Sequence, residues 1–244
     1  MKTEIIKEDK TSLQNNEKKP RKIVVPGEVI VEGQNYLPGE NARREGKEII
    51  SMRYGLLDIN DRLVKVIPLS GVYLPRKGNV IIGKVIDISY NGWLIDINSP
   101  YSAFLPIMEC RGFITKRDDL SQIYDYDEMI IAKVIGVKGR GVDLSTKERG
   151  FHKIDEGIII KINPHKVPRI IGRQGSMVNM IKDYTKCNIV VGQNGLIWVK
   201  GDSIESELIA KDVINFIADQ CYIDGLTDKV KEYLEEKTKE EKTK

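Results

Sequence analysis

Cysteine and histidine are the scarcest chemistry in this 244-residue sequence, which holds three Cys and two His. Cys110, Cys187 and Cys221 are odd in number, far apart and never in a Cys-x-x-Cys pair, which argues against the disulfide framework of a small secreted domain. His152 and His165 stand at no metal-ligand spacing, so no metal site is expected and the thiols read as buried. Long apolar runs are absent: none approaches the roughly 18 to 20 residues of a bilayer-spanning helix, and the polar N-terminus has no signal-peptide core. The expectation is a cytoplasmic chain with no membrane association. Catalytic groupings are missing too. Neither histidine has a recognisable carboxylate or nucleophile beside it, and Asp118-Asp119 and Asp125-Tyr126-Asp127 lie in polar connections where acids are ordinarily solvated. No enzyme activity and no cofactor are expected.

Excess charge of either sign is also lacking. Lys+Arg 39 against Asp+Glu 36 leaves +3, which excludes a uniformly basic, histone-like binder but leaves room for a local basic stripe. Charged residues make up 31% of the chain, above the roughly 25% of an average soluble protein, as suits small domains with much surface per volume. At roughly 150 residues per domain, the length implies two or three of them.

The texture changes along the chain in step with that estimate. Residues 1–20 mix charges with Gln and Asn without a sustained apolar period and read as a flexible tail. Residues 21–75 carry short apolar runs split by Gly, Pro and Asn (IVVPGEVIVEG, EIISMRYGLLDIN, RLVKVIPLSGVYLP), the pattern of a small β-domain. Within residues 76–149, Val80 to Ile88 and Gly92 to Ile97 flank Ser89-Tyr90-Asn91 as a hairpin. Strands over Ala103 to Ile107, Met129 to Val137 and Val142 to Leu144 follow, with a polar connection from Arg111 to Asp125. Five short strands with the longer connection between the third and fourth is the layout of an OB-type barrel. Residues 150–226 read as α+β: a strand (GIIIKI), a helical stretch from Pro168 to Ile181, a strand (CNIVV), Gly192-Gln193-Asn194-Gly195, a strand (LIWVK) and a long helix. Asp202 and Glu205 form a candidate capping box for that helix, and Ile204, Leu208, Val213, Ile217 and Cys221 its apolar stripe. The charged tail, 227–244, has few apolar residues. Leu226, Val230, Tyr233 and Leu234 stand at helical spacing, so a docked turn or two is expected before it frays.

The sharpest motif is Ile170-Ile171-Gly172-Arg173-Gln174-Gly175-Ser176, followed by Met177, Val178, Met180 and Ile181 at helical spacing. Two glycines three apart permit a tight turn and close approach of a phosphate, and the following helix offers its N-terminal N–H groups to that phosphate. Lys161, Lys166, Arg169, Arg173, Lys182 and Lys186 surround the motif with Asp183 as the single acid between them, so the basic stripe is here. A GxxG loop in a strand-helix-loop-helix setting resembles the KH domain, which implies a clamp on the backbone of single-stranded RNA by Gly172, Arg173, Gln174 and Gly175, with Arg169 and Lys166 nearby. Gly136-Val137-Lys138-Gly139 has the same spacing, but it lies between two strands and reads as a hairpin turn. Neither motif continues into the Gly-Lys-Ser/Thr of a nucleotide-binding P-loop.

Residues 77–149 resemble the S-one RNA-binding repeat, an OB-fold module, most clearly in Ile88-Ser89-Tyr90-Asn91-Gly92-Trp93-Leu94-Ile95-Asp96-Ile97 and Val142-Asp143-Leu144-Ser145. Tyr90 and Trp93 are the candidate base-stacking residues. Lys138 and Arg140 in one loop, with Arg111, Lys116 and Arg117 in the long connection, are the candidate electrostatic path for the backbone.

Taken together, the sequence reads as a multidomain β and α+β chain: a small N-terminal β-domain opening with Val25-Pro26-Gly27-Glu28, a five-stranded OB-type barrel, then one α+β KH domain. That order, over residues 21 to about 225, resembles the RNA-binding cap subunit of the archaeal exosome. It differs from bacterial polynucleotide phosphorylase, which carries KH before S-one, and from the bacterial antitermination factor, which has two KH modules. The resemblance implies a non-catalytic subunit, three copies of which sit on a hexameric ring of phosphorolytic RNase PH-like subunits and guide single-stranded RNA 3′ ends into its pore. The alternatives are a stand-alone RNA-binding translation or transcription factor and an autonomous nuclease.

Overall fold

The computed structural model describes residues 22–112, 119–139, 141–220 and 225–242; the expected N-terminal tail and Lys116, Arg117, Asp118, Arg140 and Cys221 lie outside the described residues. The chain divides into two compact units between Gly71 and Val72, four residues before the boundary expected at Pro75. The difference is due to Tyr73. Its ring is buried in the core of the second unit, where its hydroxyl donates to Asn79 Oδ1 at 2.9 Å.

The first unit consists of seven short strands: β1 (Ile23–Val24), β2 (Val29–Glu32), β3 (Leu37–Pro38), β4 (Ala42–Glu45), β5 (Glu48–Ser51), β6 (Gly55–Asn60) and β7 (Leu63–Pro68). They form a four-stranded sheet, β1-β6-β7-β3, and a three-stranded sheet, β2-β5-β4. Val24, Ile30, Val31, Ile49, Leu57, Val64 and Val66 make its small core. Seven side chains bury little area, so polar ties reinforce the unit. The Arg44 guanidinium donates to the carbonyls of Gly33 and Tyr36, and Asn41 Nδ2 donates to Val66 O at 3.0 Å.

The second unit opens with β8 (Val80–Ser89), β9 (Gly92–Asp96), β10 (Ser102–Pro106), β11 (Met129–Lys138), β12 (Gly141–Ser145) and β13 (Lys153–Ile154). The sheet order is β12-β10-β9-β8-β11-β13. Because β12 also pairs with β11, the five strands β8 to β12 close into an OB-like barrel and β13 extends one edge. The β8–β9 turn is Tyr90-Asn91, between the paired Ser89 and Gly92. Gly92 is required there: its φ is 152°, and a Cβ would sit 2.1 Å from Leu105 O. Trp93, Ile95 and Ile97, two apart in sequence, point together into the barrel with Ile81, Leu105, Ile130 and Leu144. Gly136 lies inside β11 beside a bulge, so Gly136-Val137-Lys138-Gly139 belongs mostly to a strand and only Gly139 is in the turn.

A KH-type α+β region completes this unit: β14 (Ile158–Lys161), α1 (Val167–Ile171), α2 (Ser176–Thr185), β15 (Asn188–Val191), β16 (Leu196–Lys200), α3 (Ile204–Asp219) and α4 (Leu226–Lys242). The sheet runs β14-β16-β15, and the helices bury Ile170, Met177, Ile181, Val213, Ile214 and Ile217 against it. The cap of α3 is Ser203, whose side chain accepts from the Ser206 N–H, and not Asp202; Glu207 Oε1 instead holds the Gly201 N–H at 3.0 Å. The buried face of α3 is Ala210, Val213, Ile214, Ile217 and Ala218, whereas Ile204 and Leu208 of the expected stripe are exposed. The first half of α4 docks on this core through Leu226, Val230 and Leu234. Tyr233 stacks on Phe216 with centroids 4.6 Å apart, and the Tyr184 hydroxyl donates to Glu235 Oε1 at 3.3 Å.

The barrel and the KH-type region are joined by the β15–β16 turn, Gly192 to Gly195, which lies against β8. Asn194 is fully buried there. A shared apolar patch of Ile82, Ile131, Phe151 and Trp198 lies beside it.

Candidate nucleic-acid interface

The loop between α1 and α2 is built by its glycines. Gly172 ends α1 at φ 72°, ψ 178°, and a Cβ there would lie 2.7 Å from both Met177 Cβ and the Met177 nitrogen. Gln174 is left-handed (φ 54°, ψ 29°), and Gly175 follows at φ 81°. The chain therefore folds tightly over the start of α2, with Arg173 and Gln174 exposed at the tip. Gly175 is the N-cap of α2, and no side chain caps the helix. The Ser176 N–H already donates to Arg173 O, so the donors a phosphate oxygen can accept from are the first-turn N–H groups after it, with the positive end of the helix dipole behind them.

Arg169, on the last turn of α1, is exposed beside the loop. Lys166 is partly buried, and its Nζ lies 4.0 Å from Asp219 Oδ1. Among the described residues, Arg169 and Arg173 take part in no ion pair. One cleft of about 500 Å³ unites these groups. It is lined by Arg169, Gly172, Arg173 and Ser176 on one side and by Gly225 and the first residues of α4, Leu226 to Asp228, on the other. The contribution of α4 was not legible in the sequence, because nothing in a charged tail marks which turn of a helix will face a loop more than fifty residues away.

The barrel splits the two candidate aromatics. Tyr90, at the tip of the β8–β9 hairpin, is 91% exposed and free to stack on a base. Trp93 is a correction: it is fully buried, donates its indole N–H to Tyr124 O at 2.9 Å and meets the Tyr124 ring edge-on at 5.2 Å, so it offers no face to a base. Burial pushes the Tyr124 hydroxyl up to about 12, marking this as interior. Met108, 84% exposed, is a residue the sequence did not single out. Its turn is tied to the Tyr90 hairpin by the Ile107 N–H donating to Asn91 O at 3.0 Å. Arg111 is exposed just beyond, its backbone N–H held by Thr146 Oγ1 at 3.1 Å. Tyr90, Met108 and Arg111 thus gather at neighbouring turns, while Lys138 is exposed at the end of β11.

The acids read as solvated have local partners. Asp127 pairs with Lys84 at 2.7 Å, Asp125 accepts from the Tyr126 N–H, and hydrogen bonds from Ser121 lower the Asp119 carboxyl from its ordinary value. Among the described residues no cluster of His, Cys, Asp and Glu could hold a metal ion, and no helix is long and apolar enough to cross a membrane. Cys110 and Cys187 are buried free thiols.

A closed OB-like barrel joined to a KH-type region with a GxxG loop, following a separate β unit in the sequence, defines a multi-module RNA-binding protein. A family model described as "Exosome RNA binding protein RRP4 N-terminal domain" matches residues 21–70, and one described as "KH domain" matches residues 157–205. The exosome complex component Rrp4 of Methanobrevibacter smithii is 43% identical over 87% of this chain and 70% of its own length. The Methanothermus fervidus component of the same name is 42% identical over 88% of this chain and 96% of its own, and that of Pyrococcus abyssi 40% identical over 92% and 86%. A crystal structure described, provisionally, as an exosome complex RNA-binding protein superposes with a TM-score of 0.62 at 34% identity, covering 69% of this chain and 98% of the other. The chain belongs to the exosome Rrp4 family.

Proposed function

We propose that the protein is a non-catalytic cap subunit of the exosome that recruits single-stranded RNA and guides its 3′ end into a phosphorolytic ring for 3′-to-5′ degradation. In this reading three copies sit on a cytoplasmic hexamer of RNase PH-like subunits. The observation that carries the reading is the Gly172–Gly175 loop over the start of α2, which no side chain caps, with Arg169 and Arg173 exposed beside it and in no ion pair among the described residues. Contacts of this kind address the backbone and not the bases. A strand feeding a degradative chamber must advance through many registers, and phosphate contacts and stacking tolerate every sequence it presents. Tyr90, Lys138 and Arg111 of the barrel, with Arg140, Lys116 and Arg117, give the strand a second set of weak, sequence-tolerant contacts.

The first unit is the ring-docking element in this reading. It exposes Ile23, Val25, Leu37, Met52 and Tyr54, apolar side chains that a ring subunit would cover.

The test is to isolate the tagged protein from its own cells in mild salt and identify what co-purifies. Two RNase PH-like subunits in equal amounts are expected, and deletion of residues 1–71 is expected to remove them. Recovery of ribosomal or RNA polymerase subunits instead would establish a stand-alone factor. Phosphate-dependent RNA turnover by the purified chain alone would overturn the non-catalytic assignment.

A further inference from the structure

The cleft at the GxxG loop has two walls of opposite chemistry. One carries Arg169, Arg173 and the first turn of α2, which attract an anion. The other is the first turn of α4, where Thr227 and Asp228 line the cleft. Leu226, Val230 and Leu234 are buried in the core and hold that second wall against α2 and α3. It also lies outside residues 157–205, the part of the chain that matches the KH family model. Among the described residues Asp228 forms no ion pair with Arg169 or Arg173, so the two walls have not neutralised each other.

A bare phosphate would be drawn to one wall and repelled by the other. The carboxylate accepts hydrogen bonds and donates none, so a ligand satisfying both walls carries an anionic oxygen on one side and a hydroxyl donor on the other. A ribonucleotide has this pairing: a phosphate and, within the same residue, a 2′-hydroxyl. The volume of about 500 Å³ falls in the range of clefts that enclose a ligand of that size. We infer that the first turn of α4 makes the loop selective for RNA over DNA, with Asp228 accepting from a ribose 2′-hydroxyl and Thr227 beside it, while Arg173 and the α2 N–H groups hold the phosphate. The inference rests on the loop being a phosphate clamp.

The experiment measures, by fluorescence anisotropy on the full chain, the affinity for a labelled ten-nucleotide RNA, the same sequence as DNA, and its 2′-O-methyl form. The unmodified protein binds RNA more tightly than the other two, because a methylated oxygen can no longer donate. Asp228→Ala lowers the RNA-to-DNA ratio about tenfold, the size of one lost hydrogen bond to a charged acceptor, while DNA binding is unchanged or improved. Thr227→Val lowers the ratio less. If Asp228→Ala proves unstable, Asp228→Asn keeps the shape, removes the charge and shifts the ratio in the same direction. A ratio that Asp228→Ala and Asp228→Asn leave unchanged, or an unmodified protein with no preference, overturns the inference. Arg173→Asp separates the two levels: if it weakens RNA and DNA alike while the Asp228 variants leave the ratio fixed, the clamp stands and ribose selection fails. If it weakens neither, both fail.

Discussion

Asn194 and Ile82, 112 positions apart, hold each other by a reciprocal pair of hydrogen bonds: Asn194 Nδ2 donates to Ile82 O at 2.6 Å, and the Ile82 N–H donates to Asn194 Oδ1 at 3.3 Å. The same amide donates to Ile97 O at 3.0 Å, and next to it the Val80 N–H donates to Gln193 Oε1 at 2.6 Å. A turn of the KH-type region therefore completes hydrogen bonds that the barrel's own strands leave open. Since buried backbone groups must be paired, the barrel depends on the following region for its own satisfaction. The loop over α2 and the Tyr90 hairpin are accordingly held in a fixed relation, as the proposed pair of contact sets on one RNA strand requires.

Replacing Asn194 with Leu follows directly from this arrangement. The change leaves one N–H and two carbonyls without partners in a dry site, and each unsatisfied group costs about 1–3 kcal/mol. A loss of about 3 kcal/mol or more is expected in urea unfolding at neutral pH. A loss under about 1 kcal/mol would mean that strand and turn find other partners.

The two barrel aromatics separate stability from binding. Trp93→Ala empties the centre of the barrel and strands the Tyr124 carbonyl, with an expected cost of about 3–5 kcal/mol. Tyr90→Ala removes an exposed ring, so stability is expected to stay within about 0.5 kcal/mol while single-stranded RNA affinity falls by the roughly 1–3 kcal/mol of one stacked base. Urea curves and RNA titrations on both variants check this, and a Tyr90→Ala protein that binds normally would remove the hairpin from the RNA path.

The sequence was most legible where the determining chemistry is local. Turn residues and alternation place β8, β9 and the GxxG loop within a residue or two of where they lie. The same alternation already held the answer for Trp93, which shares its face with Ile95 and Ile97. The cap of α3 turns on a choice between neighbours, Asp202 and Ser203, both good capping types, and residue type alone does not separate them. The buried face of α3 differs from the expected stripe because Ile204 and Leu208 stand at helical spacing with Lys211 and Asn215, on the side turned away from Ala210, Val213, Ile214 and Ile217. The α4 wall of the loop cleft was likewise invisible, being tertiary in origin.

A pH dependence is built into the turn near Arg111. The Glu109 carboxyl is lowered from its ordinary value first by the Lys147 ammonium, 3.0 Å away, and then by Ser145. A carboxyl lowered by folding contributes stability that is present above its unfolded value and is lost as pH falls through its folded value. The pair is partly exposed, so its contribution at neutral pH is about 0.5 kcal/mol or less. Lys147→Ala is expected to show that small deficit at pH 7 and none near pH 2, measured by urea unfolding at both. A deficit that persists in acid would assign the role of Lys147 to packing.

The loop itself is tested by replacing Arg173 and Gln174 together with Asp. Both side chains are exposed, and the left-handed conformation at position 174 is one that Asp adopts more readily than most residues, so the fold is expected to be unchanged by circular dichroism. The two new carboxylates face the N–H groups of α2 from which a phosphate would be held. Affinity for single-stranded RNA is therefore expected to fall at least about tenfold at moderate salt. The loss has a second signature that a merely structural defect lacks: each phosphate contact on a single strand contributes roughly 0.7 to the slope of log K against log salt, so removing the Arg173 contact should flatten that slope by about this amount. A weaker variant with the parent's slope would mean that the strand's phosphates are neutralised elsewhere, on the barrel's Lys138 and Arg111, and that the loop only supports the surface they form.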